Sequence, residues 1–252
     1  MPRSCCCTAG LAASTSSVAT QLNPSERRRT TRNKAGPGPV DVSVKIEIWS
    51  DVVCPWCYIG KRRLEHALTE FEHADEVEIT WRSYQLNPDM PAGQAVPTVD
   101  YMARRFGPES KVMVDRVAGL AATEGLAFDY GSSLAVNTLD AHRLLHLATE
   151  LGVGGAAKER LLRAHFTEGA DLSDPDTLAS LLSEVGVPAG RTRTVLASTE
   201  YEDEVRADIE EARLLGCSGV PFFVIDRKYG IPGAQPVEVF LGALQKAYAD
   251  QD

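Results

Sequence analysis

Two cysteines separated by two residues carry the clearest chemistry in this 252-residue chain, as Cys54-Pro55-Trp56-Cys57. The run Val44-Lys45-Ile46-Glu47-Ile48-Trp49 alternates apolar and polar residues and reads as a strand. From Cys54 to about Phe71 the pattern turns helical, with Ile59, Leu64, Ala67, Leu68 and Phe71 on one face. The pair therefore falls where a strand ends and a helix begins. Unpaired backbone N–H groups and the helix dipole favour an anion there. Only the thiolate is nucleophilic, so a position that lowers the thiol below its free value of ~8.5 activates it. Cys54 reads as the attacking thiol, and Cys57, one turn on, as the thiol that resolves a mixed disulfide formed on Cys54. Pro55 suits the first helical turn, where its missing N–H costs nothing, and Pro55 and Trp56 together tune the redox poise. Both thiols are expected to be exposed at the helix start.

A zinc site is the competing reading of two such cysteines, and a closed one takes about four ligands. The remaining cysteines are Cys217 and three near the N-terminus, Cys5, Cys6 and Cys7. His142 and His146 stand at i, i+4 in a leucine-rich helical run and read as packing or surface residues. No metal is expected. Cys217 reads as a small core residue, Asp51 as a cap of the helix that follows, and Lys61 as an exposed helical lysine. Trp49 and Trp81 read as core, and Trp56 as partly exposed.

A second feature is Gly219-Val220-Pro221 directly ahead of the apolar run that ends at Asp226. Proline cannot donate to a central ladder, but at the first residue of a strand it is tolerated, in trans or in cis. Val77–Trp81 reads as another strand, which gives strand–helix–strand, the parallel unit that needs a crossover. The sequence predicts helices over 99–106, 109–124, 137–151, 156–168, 174–185, 190–196 and 200–215. Asn137 and Ser173 or Asp174 are predicted N-caps, and Gly152 and Gly186 predicted terminators. A strand over Val220–Asp226, a short partner near Tyr229–Ile231 and a helix from about Pro236 to Ala249 close the chain. The expected fold is α/β, thioredoxin-like in its βαβ–ββα order, with a large all-helical insertion. Its parts are a disordered leader (1–40), a βαβ part (41–97), the insertion (98–215) and a ββα part (216–252).

Several segments together resemble the DsbA-like oxidoreductases of the FrnE type: Asp51-Val-Val-Cys54-Pro-Trp-Cys57-Tyr-Ile-Gly60, Gln85-Leu-Asn-Pro88, Asn137-Thr-Leu-Asp-Ala-His142, His165-Phe-Thr-Glu-Gly169 and Gly219-Val-Pro-Phe-Phe-Val-Ile225. The resemblance spans about residues 44–248. It implies a thioredoxin fold with a helical insertion, and thiol–disulfide exchange with protein or small-thiol disulfides. It also implies that Pro221 is a cis proline facing the dithiol, with the Val220 backbone binding substrate beside it. The same superfamily contains relatives similar to 2-hydroxychromene-2-carboxylate isomerase and the kappa-class glutathione transferases. These carry a serine at the position of Cys54 and lack the second thiol. A glutathione-dependent isomerase or transferase acting on a small aromatic or polyketide-type substrate is therefore the alternative reading, and Cys54 with Cys57 argues against it.

Charge narrows the partners. The chain is net -9 overall, but residues 1–40 carry six basic residues against Glu26, so the remainder is net -14. An acidic body makes a poor nucleic-acid binder, because phosphate contacts need basic side chains. No stretch approaches the ~18 apolar residues of a membrane span. Six cysteines are too sparse for a disulfide-stapled secreted scaffold. The expectation is a cytoplasmic monomer or homodimer that needs no cofactor, with glutathione as a candidate co-substrate. Should the Arg- and Ser-rich leader act as a targeting segment, the location becomes exported or organellar.

Overall fold

A computed structural model of the chain describes residues 20–21 and 43–251. Its frame is a five-stranded sheet in the order β1-β7-β6-β2-β3, built from β1 (Thr20–Gln21), β2 (Val44–Ser50), β3 (Val77–Ser83), β6 (Phe222–Ile225) and β7 (Tyr229–Pro232). β2 and β3 run parallel, joined by helix α1 (Pro55–Glu70); β6 and β7 add antiparallel on the other side of β2. Ile48 of β2 stands beside Trp81 on one flank and Phe223 on the other. Thr20–Gln21 falls inside the segment expected to lack structure and pairs with β7. An unpaired sheet edge offers N–H and C=O groups to any extended segment that reaches it. The rest of the expected leader, with Cys5, Cys6 and Cys7, lies outside the described residues.

Alternation along β2 divides its side chains between two cores. Ile46 and Ile48 pack under α1 and α9 (Val237–Ala249) with Leu64, Phe223, Phe240 and Leu244. Trp49 points the other way, into a cluster with Cys54, Cys57, Val220, Phe222 and Ala212 of helix α8 (Glu202–Leu214). The indole Nε1 donates to the Asp208 carbonyl at 2.7 Å, which fixes α8 across that face.

The insertion supplies α2 (Thr98–Phe106), α3 (Ser110–Thr123), α4 (Leu139–Glu150), α5 (Gly154–Phe166), α6 (Pro175–Ser183), α7 (Ala189–Leu196) and α8. It is not wholly helical. Ala95–Pro97 (β4) pairs antiparallel with Leu134–Val136 (β5). Three residues are too few to establish a period of two, so the sequence carries no legible strand signal there. Asp174 caps α6 by accepting the Thr177 N–H at 2.8 Å, and Gly152 and Gly186 end helices with positive φ. Asn137 is not the cap of α4. That position is Thr138, while the Asn137 side chain reaches one residue further and accepts the Leu139 N–H at 2.9 Å.

Gly60 lets α1 close onto the sheet. A Cβ there would lie 3.1 Å from the Pro221 ring and 3.2 Å from the Phe223 ring. Gly60→Val adds atoms beyond that Cβ into a filled space, so overpacking outweighs any helix propensity it gains. The expected cost is about 1–3 kcal/mol, read as a lower urea midpoint with an unchanged m-value.

Candidate active site

Cys54 is the N-cap residue of α1, in extended conformation, with Pro55 in the first turn behind it. No acidic residue occupies that first turn, so no side-chain charge there opposes the positive end of the helix. The Cys57 N–H returns to the Cys54 carbonyl at 3.0 Å, which folds the two cysteines into one turn. Cys54, Cys57 and Cys217 are not joined by disulfides to one another. The Val220–Pro221 peptide bond is cis, and the Cys54 thiol donates to the Val220 carbonyl at 3.5 Å. The two features singled out in the sequence, 166 residues apart, thus meet at one point.

The thiols are not exposed. Cys54 is 0% and Cys57 1% accessible. Trp56, Tyr84, Leu86 and Leu215, each half-buried, pack against the cluster that holds them. A helix start predicts access only when nothing crosses it, and here the segment after β3 and the end of α8 do. The segment after β3 is tied down at two places. Asp51 Oδ2 accepts the Leu86 N–H at 2.8 Å, and Asn137 Nδ2 donates to the Met90 carbonyl at 2.6 Å.

Asp51 therefore does not cap α1 with its side chain. It is fully buried, and its other oxygen meets His142 Nε2 at 3.3 Å, also fully buried. Burial alone would raise the Asp51 carboxyl. The His142 hydrogen bond and charge, with the Leu86 N–H, outweigh it and leave the group below its ordinary value. Burial in turn holds His142 low against the pull of Asp51.

A third buried charge comes from α5. Lys158 is 0% accessible, its ammonium donates to the Ser50 carbonyl at 3.2 Å, and it lies 5.6 Å from the Trp81 ring centre. Burial pushes Lys158 down to about 8, while Cys57, Asp51 and Cys54 pull it back up. His165, nearly two turns further along α5, is pushed down to about 4 by burial. Lys61, expected at the surface, is buried too. Its charge is held by Glu65 and by Glu159 at 2.6 Å, so it is not the free cation beside the thiols. Burial pushes the Cys217 thiol up to about 11, and its Sγ donates to the Gly219 carbonyl at 3.2 Å. Among the described residues no group of three or more His, Cys, Asp or Glu is placed to hold a metal ion. No helix among them is long and apolar enough to cross a membrane.

A family model described as a DSBA-like thioredoxin domain matches residues 45–245. The chain belongs to that family. A crystal structure of a probable DsbA oxidoreductase from Streptomyces coelicolor is 42% identical, with a TM-score of 0.78, over 82% of this chain and 91% of that one. An uncharacterised protein, YwbO, from Bacillus subtilis is 28% identical over 83% of this chain and 98% of its own length. The cytosolic disulfide reductase DsbM from Pseudomonas aeruginosa, solved with GSH, shares the fold at 20% identity and a TM-score of 0.53, over 82% of this chain and 96% of that one.

Within this DSBA-like domain, sequence reasoning passed over Lys158, and a signal for it exists. Gly154, Ala157, Lys158, Leu161, Leu162 and His165 fall at i, i+3, i+4, i+7, i+8 and i+11, so lysine occupies a position that the helical period assigns to the core. All six are buried. Asp51 is the buried acid facing this cation and His142. Asp51→Asn removes one partner of a buried charge cluster, a change that costs about 3–5 kcal/mol. The expected result at pH 7 is a lower chemical-denaturation midpoint, with a larger loss than for Glu65→Gln on the exposed side of the Lys61 network.

Proposed function

We propose that this DSBA-like oxidoreductase exchanges electrons between the Cys54–Cys57 dithiol and disulfides of proteins or low-molecular-weight thiols. The observation that carries the reading is the placement of Cys54 at the start of α1, its sulfur against the Val220 carbonyl that precedes Pro221. An extended substrate segment laid beside Val220 would bring its sulfur within reach of Cys54. Cys57, in the same turn, then resolves the mixed disulfide. Pro55 and Trp56 set the poise of the pair between them. The sulfur atoms themselves carry the electrons, so the reaction calls for no metal or organic cofactor.

Glutathione is the small thiol that we put forward as co-substrate. The support is the Pseudomonas disulfide reductase of the same fold, solved with GSH. A cytoplasmic site of action is supported by the sparse cysteine content of the body and by the description of that reductase as cytosolic.

The test is redox equilibration in glutathione buffers, followed by thiol trapping and mass spectrometry. Wild-type protein is expected to form one Cys54–Cys57 disulfide in a single two-electron transition, near 30 mV per tenfold change in equilibrium constant. Cys54→Ser should abolish turnover, whereas Cys57→Ser should accumulate a stable mixed disulfide on Cys54. A Cys54→Ser protein that retains full exchange activity overturns the reading.

A further inference from the structure

We propose that residues 84–94, between β3 and β4, form a strap that lifts to admit substrate to the dithiol, and that the Asn137 amide is its latch. The inference rests on the exchange reading above and adds to it how a sealed pair of thiols is reached.

Both thiols are buried, and Tyr84 and Leu86 of the strap pack on the apolar cluster that holds them. A substrate sulfur has to meet Cys54 Sγ, so part of this cover has to move. The other covering side chains ride on held elements. Trp56 belongs to α1, and Leu215 ends α8, which the Trp49 indole and Arg82 both fix through Asp208. The strap is held less firmly. It contains no helix or strand of its own. From Pro88 to Gln94 every residue except Met90 is exposed. Segments with little buried surface open locally at a fraction of the global free energy. Its two ends are anchored, since Ser83 pairs with Ser50 in the main sheet and Ala95 with Val136 in the β4–β5 ladder.

Asn137 follows Val136 directly, so the latch stands on the ladder that anchors the far end of the strap. Its whole amide is engaged. Oδ1 accepts the Gln85 Nε2 at 3.1 Å and the Leu139 N–H at 2.9 Å. Nδ2 donates to the Met90 carbonyl at 2.6 Å and to the Pro88 carbonyl at 3.3 Å. The Leu139 N–H only donates and the two carbonyls only accept, which fixes the orientation of the amide. Three of these hydrogen bonds end on the strap, and the fourth ties the amide to the start of α4. A further tie runs from the Leu86 N–H to Asp51 at 2.8 Å, but Asp51 also holds His142 and serves more than the strap. Asn137 is neutral and half-buried, so water can take over its bonds when the strap lifts. Gln85-Leu-Asn-Pro88 and the segment that begins at Asn137, on which the exchange chemistry itself does not call, become the two halves of one closure.

The test compares reduced wild type with Asn137→Ala and Asn137→Asp. The readouts are amide hydrogen exchange by NMR and timed alkylation of Cys54 by iodoacetamide, followed by mass spectrometry. Asn137→Asp keeps the oxygen that accepts the Leu139 N–H and loses the donor to Pro88 and Met90. A latch needs that donor, so both variants should speed Cys54 alkylation and Leu86 N–H exchange by about tenfold or more. The two rates should rise by the same factor, because one opening exposes both groups. The Ile48 N–H, central in β2, should keep its wild-type rate. A role confined to the start of α4 predicts a defect in the alanine variant alone and overturns the proposal. Equal acceleration at Leu86 and Ile48 marks general loosening and overturns it too, as does Cys54 alkylation at the wild-type rate in both variants. Wild type supplies a reading free of any substitution. Its Leu86 N–H should exchange at least about tenfold faster than the Ile48 N–H; equal rates would mean that the strap opens only on global unfolding, and the proposal falls. Neither measurement uses a disulfide partner, so failure of the dithiol to exchange with glutathione would sink the reading beneath and leave this test standing.

Discussion

A carboxylate cannot sit in a dry interior without partners, and much of the site is arranged to satisfy one. Asp51 lies three residues before Cys54, where β2 has ended and α1 has not begun. One of its oxygens holds the backbone at Leu86, and Leu86 packs on the thiol cluster. The other meets His142, which places the start of α4 against the end of β2. Lys158 from α5 approaches the same neighbourhood through the Ser50 carbonyl. One buried charge thereby links the sheet, the cover over the thiols and two helices of the insertion.

This changes how the insertion is understood. In a thioredoxin-like frame a helical block inserted after β3 need not touch the dithiol. Here the block reaches both the residues just before the dithiol and the thiol cluster itself. Lys158, His142 and His165 bring titratable groups to Ser50 and Asp51 at the end of β2, while Ala212 and Leu215 pack on the thiol cluster. Trp49 ties α8 to the sheet by its indole hydrogen bond. The insertion's own core, around Leu144, Leu161, Leu178 and Leu182, gives those groups rigid backing.

The frame was legible in the sequence because its signals are local. The alternation of Val44–Trp49, the helical period from Ile59 and the apolar run from Phe222 each follow from the period of one element. The meeting of Cys54 with Val220 rests on no local signal and came only through resemblance. Asp51 misled for a physical reason. An acid just before a helix fits the capping rule, but that rule assumes a solvated end, and this end is roofed by the segment around Leu86. The same roof buries the thiols expected to be exposed. Lys158 was legible and passed over, because a lysine among alanines and leucines reads as an ordinary helix former unless its phase is checked.

Burial makes the fate of protons part of the chemistry. At an exposed dithiol water carries them, and the protein need only set the thiol pKa. At a site that is closed in its reduced form, a thiolate would stand in surroundings that penalise charge. Two influences favour negative charge here: the unpaired N–H groups at the start of α1, beside Cys54, and the buried cation of Lys158 near the end of β2. Asp51 opposes both, since it is a second negative charge near the thiols. Its engagement with Leu86 and His142 holds that charge in place below its ordinary pKa. The carboxylate that organises the site is thus a standing negative charge, against which the helix N-terminus and the Lys158 cation act.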